Sequence, residues 1–384
     1  MPFDVGTVRL EFPLVREVVY LNTGTAGLCP LSVAEKLWES IRAFEVGGEV
    51  EWPEAVRRME EGRERLAQFL HTDPSRLAFT RNATDGVNLV VEGIAWRPGD
   101  EVLLSAEEHP AMLFPWTYLA QRKGVRLRRF PVGMTPQETL ETVQQMATEA
   151  TRLVATSHVS SVTGKRIPVA EIGRWCREAG ILTLVDGAQA VGQIPVALET
   201  LPVDYYVGNV HKWLHGPKGV GFLAVSPDAL EPLEPTWVGA GSGSYSPEKG
   251  FRPRSDARCF EYGTRDFGRY GALPALFDWY QRLGWEEIWR WMQYLTRYLR
   301  TRLGELPAVR SHTPLLFEYS SAMTTVSVEG VGGQRLVDRL WELHAIRLRY
   351  VPEVDGIRIS TTLFNTRAEV DRLVEALAQE CRAK

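Results

Sequence analysis

Only seven lysines serve this chain of 384 residues, and one stands where chemistry is possible. Lys212 lies in the run Val207-Gly208-Asn209-Val210-His211-Lys212-Trp213-Leu214, behind an apolar stretch and ahead of Gly216-Pro217. Apolar surroundings strip hydration from an ammonium, lower its pKa and free the amine as a nucleophile, the chemistry of Schiff-base formation. Upstream, Ile181-Leu182-Thr183-Leu184-Val185-Asp186-Gly187-Ala188-Gln189 ends a hydrophobic stretch on a carboxylate. A third polar run, Thr80-Arg81-Asn82-Ala83-Thr84-Asp85-Gly86-Val87-Asn88, reads as a strand end entering a helix. Its side chains can cap that helix, and the free backbone N–H groups there form an anion site suited to phosphate. Plainer readings stand beside each: simple capping at 80–88, a helix cap or metal ligand at Asp186, a surface amide at Gln189. His211 and His215 have the i, i+4 spacing of a zinc pair, with Asp186 as a possible third ligand. Gly216-Pro217 directly afterwards argues against a regular helix, no further strong ligand follows, and no metal is expected.

Apolar runs at 77–80, 101–105, 125–132, 153–157, 181–185 and 205–208 read as strands, with a further one at 222–225. Amphipathic stretches at 55–70, 136–150 and 169–179 read as helices between them. That alternation implies parallel strands joined by crossover helices, and open parallel sheets bind ligands at the carboxyl ends of their strands, where the candidate residues fall. The Gly-, Ser- and Pro-rich stretch 238–254 reads as a loop. After it come a helical region at 270–303, strands near 315–319 and 324–328, a helix at 334–344, short strands at 347–351 and 357–360, and a last helix at 367–381. The expected fold is α/β: a large domain with a mostly parallel central sheet flanked by helices, plus a smaller C-terminal α+β domain. Residues 1–20 are expected as an N-terminal segment packing near the small domain, 21–262 as the large α/β domain, and 263–384 as the small one.

Composition is that of a globular protein, 44% hydrophobic and 24% charged, with a formal charge of −4. That balance gives no electrostatic case for nucleic acid or acidic lipid, so small polar or anionic ligands are the expected partners. Cys29, Cys176, Cys259 and Cys381 are far apart and suggest neither a disulfide framework nor a zinc knuckle. The first ten residues carry Asp4 and Arg9 without an apolar centre, so no secretory signal is expected, and no uncharged run approaches the ~20 residues of a membrane helix. A cytoplasmic location is expected.

The order Thr84, Asp186-Gly187-Ala188-Gln189, His211-Lys212, Phe260-Glu261-Tyr262-Gly263-Thr264, Arg358-Ile359-Ser360 and Phe364-Asn365-Thr366 resembles the pyridoxal-phosphate enzymes of the aspartate aminotransferase fold. It is most similar to the class V aminotransferase group that includes cysteine desulfurases and isopenicillin N epimerase-like proteins. The resemblance implies pyridoxal 5'-phosphate as cofactor, held by Lys212 as a Schiff base, with Asp186 pairing the protonated ring nitrogen. A carboxylate there keeps the ring cationic, and a cationic ring accepts charge released at the substrate Cα. It further implies that Gln189 bonds the ring oxygen, and that Ala83 and Thr84 hold the phosphate with help from Asn209 and His211. Asn209 stands where desulfurases carry serine. In Glu107-Glu108-His109-Pro110 the family's stacking segment is recognisable; desulfurases have two consecutive histidines there, the second place is Pro110 in this chain, and His109 is the expected stacking residue. Thr264 would reach the phosphate of a partner subunit, which implies a homodimer with the active site at the interface. Arg358 would clamp the substrate carboxylate. Desulfurases carry a nucleophilic cysteine shortly before this arginine, whereas this chain has none between Cys259 and Cys381, so persulfide formation by that route is not expected. Lys212 would then act as general base at the Cα of an amino acid or related amine. Transamination is the favoured outcome, with β-elimination or C–S lysis and epimerisation as alternatives, and a catalytically idle cofactor-binding relative as a further one.

Overall fold

The computed structural model describes residues 3–382. Its centre is a seven-stranded sheet built from β1 (Leu77–Thr80), β2 (Glu101–Ser105), β3 (Arg126–Phe130), β4 (Thr151–Ser157), β5 (Leu182–Asp186), β6 (Tyr205–Asn209) and β7 (Gly221–Val225), in the order β1-β7-β6-β5-β4-β2-β3. Only β7 runs antiparallel to its neighbours. Strands covered on both faces need apolar residues at every position rather than alternate ones, and β1, β2, β6 and β7 are buried throughout. The edge strand β3, Arg-Leu-Arg-Arg-Phe, is the exception, and its arginines keep an open edge from pairing with another chain.

The helices that matter for the site are α1 (Leu31–Gly47), α2 (Trp52–Phe69), α3 (Ala83–Gly93), α4 (Pro110–Lys123), α5 (Pro136–Met146) and α6 (Val169–Glu178). The helical region expected at 270–303 is two helices, α7 (Leu273–Leu283) and α8 (Trp285–Gly304), divided at Gly284, whose φ of +79° only glycine adopts without strain. Because α7 packs on α2 and Ile288 and Met292 of α8 lie in the large-sheet core, the chain stays with the large sheet past the boundary expected at 262/263 and passes to the small one along α8, whose Leu295, Leu299 and Leu303 join the small-sheet core.

The small sheet contains β8 (Val309–Ser311), β9 (Met323–Val328), β10 (Arg349–Val351) and β11 (Gly356–Ser360) in the antiparallel order β8-β9-β11-β10. Helices α8, α9 (Gly333–His344) and α10 (Arg367–Arg382) cover one face. The strand expected at 315–319 is not there. Phe317–Tyr319 forms a 3-10 turn, and the sheet takes its edge from 309–311, a segment too short and too charged to announce itself by periodicity. The hairpin Gly243–Ser246 with Gly250–Pro253 interrupts the stretch read as loop. Ile357 and Ile359 point into the small-sheet core with Val326, Leu299 and Leu373, so the period of two sends Arg358 and Ser360 to the opposite face. Val19–Tyr20 pairs parallel with Ile346–Arg347, and a bridge joins Asn22 to Ser360, which lays residues 22–27 alongside Arg358. Among the described residues no helix is long and apolar enough to cross a membrane.

Candidate active site

Asp186, Asn209, Ser157 and Thr80 are the last residues of β5, β6, β4 and β1. The loop that follows β6 carries His211 and Lys212. Asp186 is buried, and its carboxylate accepts the Ala188 N–H at 2.8 Å. Burial pushes its pKa up, while the Lys212 ammonium and the Ala188 amide oppose that. Lys212 is half-buried, and its amine makes no hydrogen bond or ion pair among the described residues. Desolvation pushes it down to about 8; Asp186 resists, and the cationic Arg358 and Arg349 add to the depression. A carboxylate and a partly neutral amine are thus paired electrostatically without a salt bridge, which leaves the amine free to react.

Gln189 is fixed between two elements. Its Oε1 accepts from Trp213 Nε1 at 2.8 Å and its Nε2 donates to Gly24 O at 2.7 Å, a pattern that settles which end is which and leaves one amide hydrogen available. His211 and His215 do not converge. Both His215 nitrogens are engaged, with Leu28 O and Thr362 Oγ1 at 3.0 Å each, while His211 Nδ1 is buried without a partner. Among the described residues no three His, Cys, Asp or Glu side chains gather as a metal site.

His109 caps α4, and its Nδ1 accepts the Ala111 N–H at 3.1 Å, so a neutral ring carries its hydrogen on Nε2. Burial holds the imidazole down to about 4, with the positive charges of Lys212, Arg349 and Arg358 contributing, which places the ring among these groups. Arg358 is wholly buried. Its Nη1 donates to Ser161 O at 2.6 Å and Nη2 to Thr25 Oγ1 at 3.1 Å, and Nε is unpaired; among the described residues no carboxylate bonds it, and Glu353 acts on it only through space. Burial pushes it down to about 9, with Arg349 contributing. A buried guanidinium lacking an anion is costly unless a ligand supplies one. Arg349 lies opposite Arg358 on the neighbouring strand.

At the start of α3, Asn82 accepts the Asp85 N–H at 2.9 Å, and the Ala83 and Thr84 amides are free among the described residues. Thr84 and Thr264 line one cleft of about 1,060 Å³ with Asn82, Trp237 and Tyr262; Lys212 and Asp186 do not line it. The Asn209 Oδ1 and Thr23 Oγ1 atoms join His211 Nδ1 and Arg358 Nε as buried polar atoms without partners. Buried polar atoms are ordinarily paired, so four orphans on the segments that carry or flank Lys212 and Arg358 mark a place built for a polar group. The donor set fits pyridoxal phosphate, with a carboxylate for a ring nitrogen, an amine for an aldehyde and helix-start amides for a phosphate.

Two features escape a reading of the sequence. Residues 22–27 thread between Gln189, Arg358 and the lysine loop: the Gly27 N–H donates to His211 O at 2.7 Å, and a side chain on Gly27 would collide with the Lys212 carbonyl. The small polar run Asn22-Thr23-Gly24-Thr25 was the available signal. Glu108 is fully buried, bonded by Ser105 Oγ and by the Ser157 N–H and Oγ, each at 2.7 Å for Ser157, and burial near Asp186 raises it to about 7. Nothing in its neighbours along the chain foretells that environment.

Residues 51–373 match the family model described as aminotransferase class-V. The isopenicillin N epimerase of Streptomyces clavuligerus is 35% identical over 378 residues, covering 94% of each chain. A cysteine desulfurase of Cronobacter sakazakii is 31% identical, covering 98% of each. Among solved structures, the cystine C–S lyase C-DES in complex with its reaction product cysteine persulfide superposes with a TM-score of 0.89 at 29% identity, covering 96% of this chain and 99% of that one. A C-DES mutant with glycine covalently linked to the PLP cofactor matches equally well over 96% and 98% of the two chains. The chain therefore belongs to the class V aminotransferase family, and its cofactor is pyridoxal phosphate.

Proposed function

We propose that this protein is a pyridoxal-phosphate lyase that removes the Cα proton of a β-sulfur amino acid and expels the sulfur. The observation that carries it is the unpaired, pKa-depressed amine of Lys212 set near a buried Arg358 whose Nε is unpaired and which no carboxylate bonds among the described residues. When bound, the cofactor supplies an electron sink for the pair released at Cα. Lys212 would hold its aldehyde, Asp186 its ring nitrogen, Gln189 its ring oxygen, and Ala83, Thr84, Asn209 and His211 its phosphate, while His109 stacks on the ring. Arg358 takes the substrate carboxylate and so orients the Cα–H bond. Once the substrate amine has taken its place at the aldehyde, the freed Lys212 amine would accept the Cα proton. The Cα electron pair becomes the Cα=Cβ bond, the Cβ–S bond breaks with its pair on sulfur, and the released enamine hydrolyses to pyruvate and ammonium.

Elimination needs one base. Around Lys212 the groups coupled to it electrostatically include Asp186, Arg358, Arg349, His109 and His211. Epimerisation also needs a second acid on the opposite face of the Cα, and the similarity to a cystine C–S lyase supports elimination. The similarity to isopenicillin N epimerases keeps epimerisation as the second reading, and relatives of lyase, desulfurase and epimerase kinds favour both over transamination. Burial pushes the Cys259 thiol up to about 11, which supports leaving it out of persulfide chemistry. In the same reading a second copy covers the face where Thr264 is exposed beside Trp237, Val238, Tyr245 and Tyr262. Incubating the holoenzyme with cystine, alanine and glutamate separates the outcomes. Pyruvate with released sulfur from cystine alone is expected; D-alanine from L-alanine would select the epimerase, and a keto acid with aminated cofactor would return the aminotransferase.

A further inference from the structure

A second cavity, of about 360 Å³, is lined by none of the residues assigned above. It opens at the first turn of α6, ten residues long, which no side chain caps. The Val169 N–H turns back to Ile167 O at 2.8 Å, while the Ala170 and Glu171 amides find no partner among the described residues, so the positive end of the helix faces the cavity. Arg166 stands beside it, half-buried, its guanidinium without a hydrogen bond or ion pair among the described residues and its pKa lowered by burial.

His158 supplies an independent pointer. It is 5% exposed, and its Nδ1 lies 3.0 Å from the Tyr206 hydroxyl. That hydroxyl has no other partner among the described residues; the arrangement in which it donates to Nδ1 satisfies the phenol hydrogen and puts the ring's own hydrogen on Nε2. Nε2 has no partner among the described residues, and the ring lines the cavity. Ile167, Val196 and Leu201 form the apolar wall. Two carboxylates, Glu171 and Glu318, also line it, the first paired with Arg174 at 3.1 Å; they disfavour a doubly charged anion and tolerate a singly charged one.

We propose that this cavity binds a small monocarboxylate with a short aliphatic body. Arg166, His158 Nε2–H and the first-turn amides of α6 take the carboxylate, and the aliphatic part lies on Ile167, Val196 and Leu201. The site is not isolated from the chemistry. Tyr206 packs against Gly187, where any side chain would strike its ring and hydroxyl, and Gly187 directly follows Asp186.

Isovalerate, which lacks an amine and cannot form a Schiff base, is the probe, titrated calorimetrically into the holoenzyme. Because Arg358 also accepts carboxylates, the cavity and the active site are separated by variants. Arg166→Ala is expected to weaken one equivalent of binding by about tenfold or more, the loss of a charge-assisted contact. Ala197→Phe, which fills the cavity and leaves every charge in place, is expected to do the same. Arg358→Ala is expected to retain that equivalent. Binding insensitive to both cavity variants, a single equivalent abolished by Arg358→Ala, or no binding of isovalerate at all overturns the proposal.

Discussion

At the residue scale, the argument rests on what burial does to charges that lack partners. Lys212 has an ordinary value near 10.5 and is held at about 8 in the fold. Its charged form is therefore disfavoured in the folded state, and the unfolded chain binds more protons between these values, so stability rises with pH across that window. Cofactor-free Lys212→Met is expected to be more stable than cofactor-free wild type at pH 7 by about 1–3 kcal/mol. The gap should be full below about 8 and gone above 10.5, as read by urea melts at pH 7 and 11. Capture of pyridoxal phosphate by the cofactor-free protein should quicken as pH rises through about 8 and then level, since only the neutral amine attacks the aldehyde. With cofactor added, Lys212→Ala should lose the visible Schiff-base absorbance and at least roughly 10³-fold in turnover, given that it removes both the anchor and the base; a coloured, active variant would contradict the assignment. Arg358→Lys keeps the charge and loses the fork, so KM should rise about ten- to a hundredfold with kcat less affected.

At the element scale, three fits hold the segments around the site, two of them at the lysine loop. Gly27 lies against the Lys212 carbonyl, and Gly192 against the Trp213–Leu214 backbone. Gly27→Ala therefore has to displace the loop, and a destabilisation of about 2–3 kcal/mol with weakened cofactor retention is expected, measured by thermal melts and cofactor dialysis. The third fit is electrostatic. Arg63 of α2, 1% exposed, bonds Glu261 at 2.7 and 3.0 Å, and Glu261 also accepts the Phe79 N–H of β1 at 2.6 Å. That pair ties the segment leading to Thr264 onto the sheet. Glu261→Gln should cost about 1–3 kcal/mol, because Arg63 keeps Glu60 at 2.9 Å and the Leu77 carbonyl but loses its buried carboxylate. A double-mutant cycle in urea is the measurement.

At the scale of the whole molecule, the question is what completes the cleft beside Thr84 and Thr264. If a second copy covers it, sedimentation should give twice the chain mass, and Thr264→Ala should weaken cofactor retention about tenfold while leaving the dimer intact, the loss of one hydrogen bond to a charged group. A monomeric species with full cofactor affinity would remove the partner subunit from the site.

The chain's order of apolar runs was enough to place six of the seven strands of the large sheet, because strands buried on both faces must be continuously apolar; the seventh, the edge strand β3, carries three arginines beside Leu127 and Phe130. The same order brought Asp186 and Lys212 to adjacent strand ends, since strand-end residues of a doubly wound sheet necessarily share one rim. Local pattern was insufficient at 315–319 and at 309–311, where short segments carry too few residues for a period to register. What only the tertiary structure decided was the environment: that residues 22–27 pass beside Arg358, that Glu108 is buried near Asp186, that His215 is spent on Leu28 and Thr362, and that His158 turns its free nitrogen toward a separate cavity. Those properties depend on which distant segments exclude water from a group. Residue type and spacing along one chain set what a side chain can do; desolvation and the partners that folding supplies set what it does.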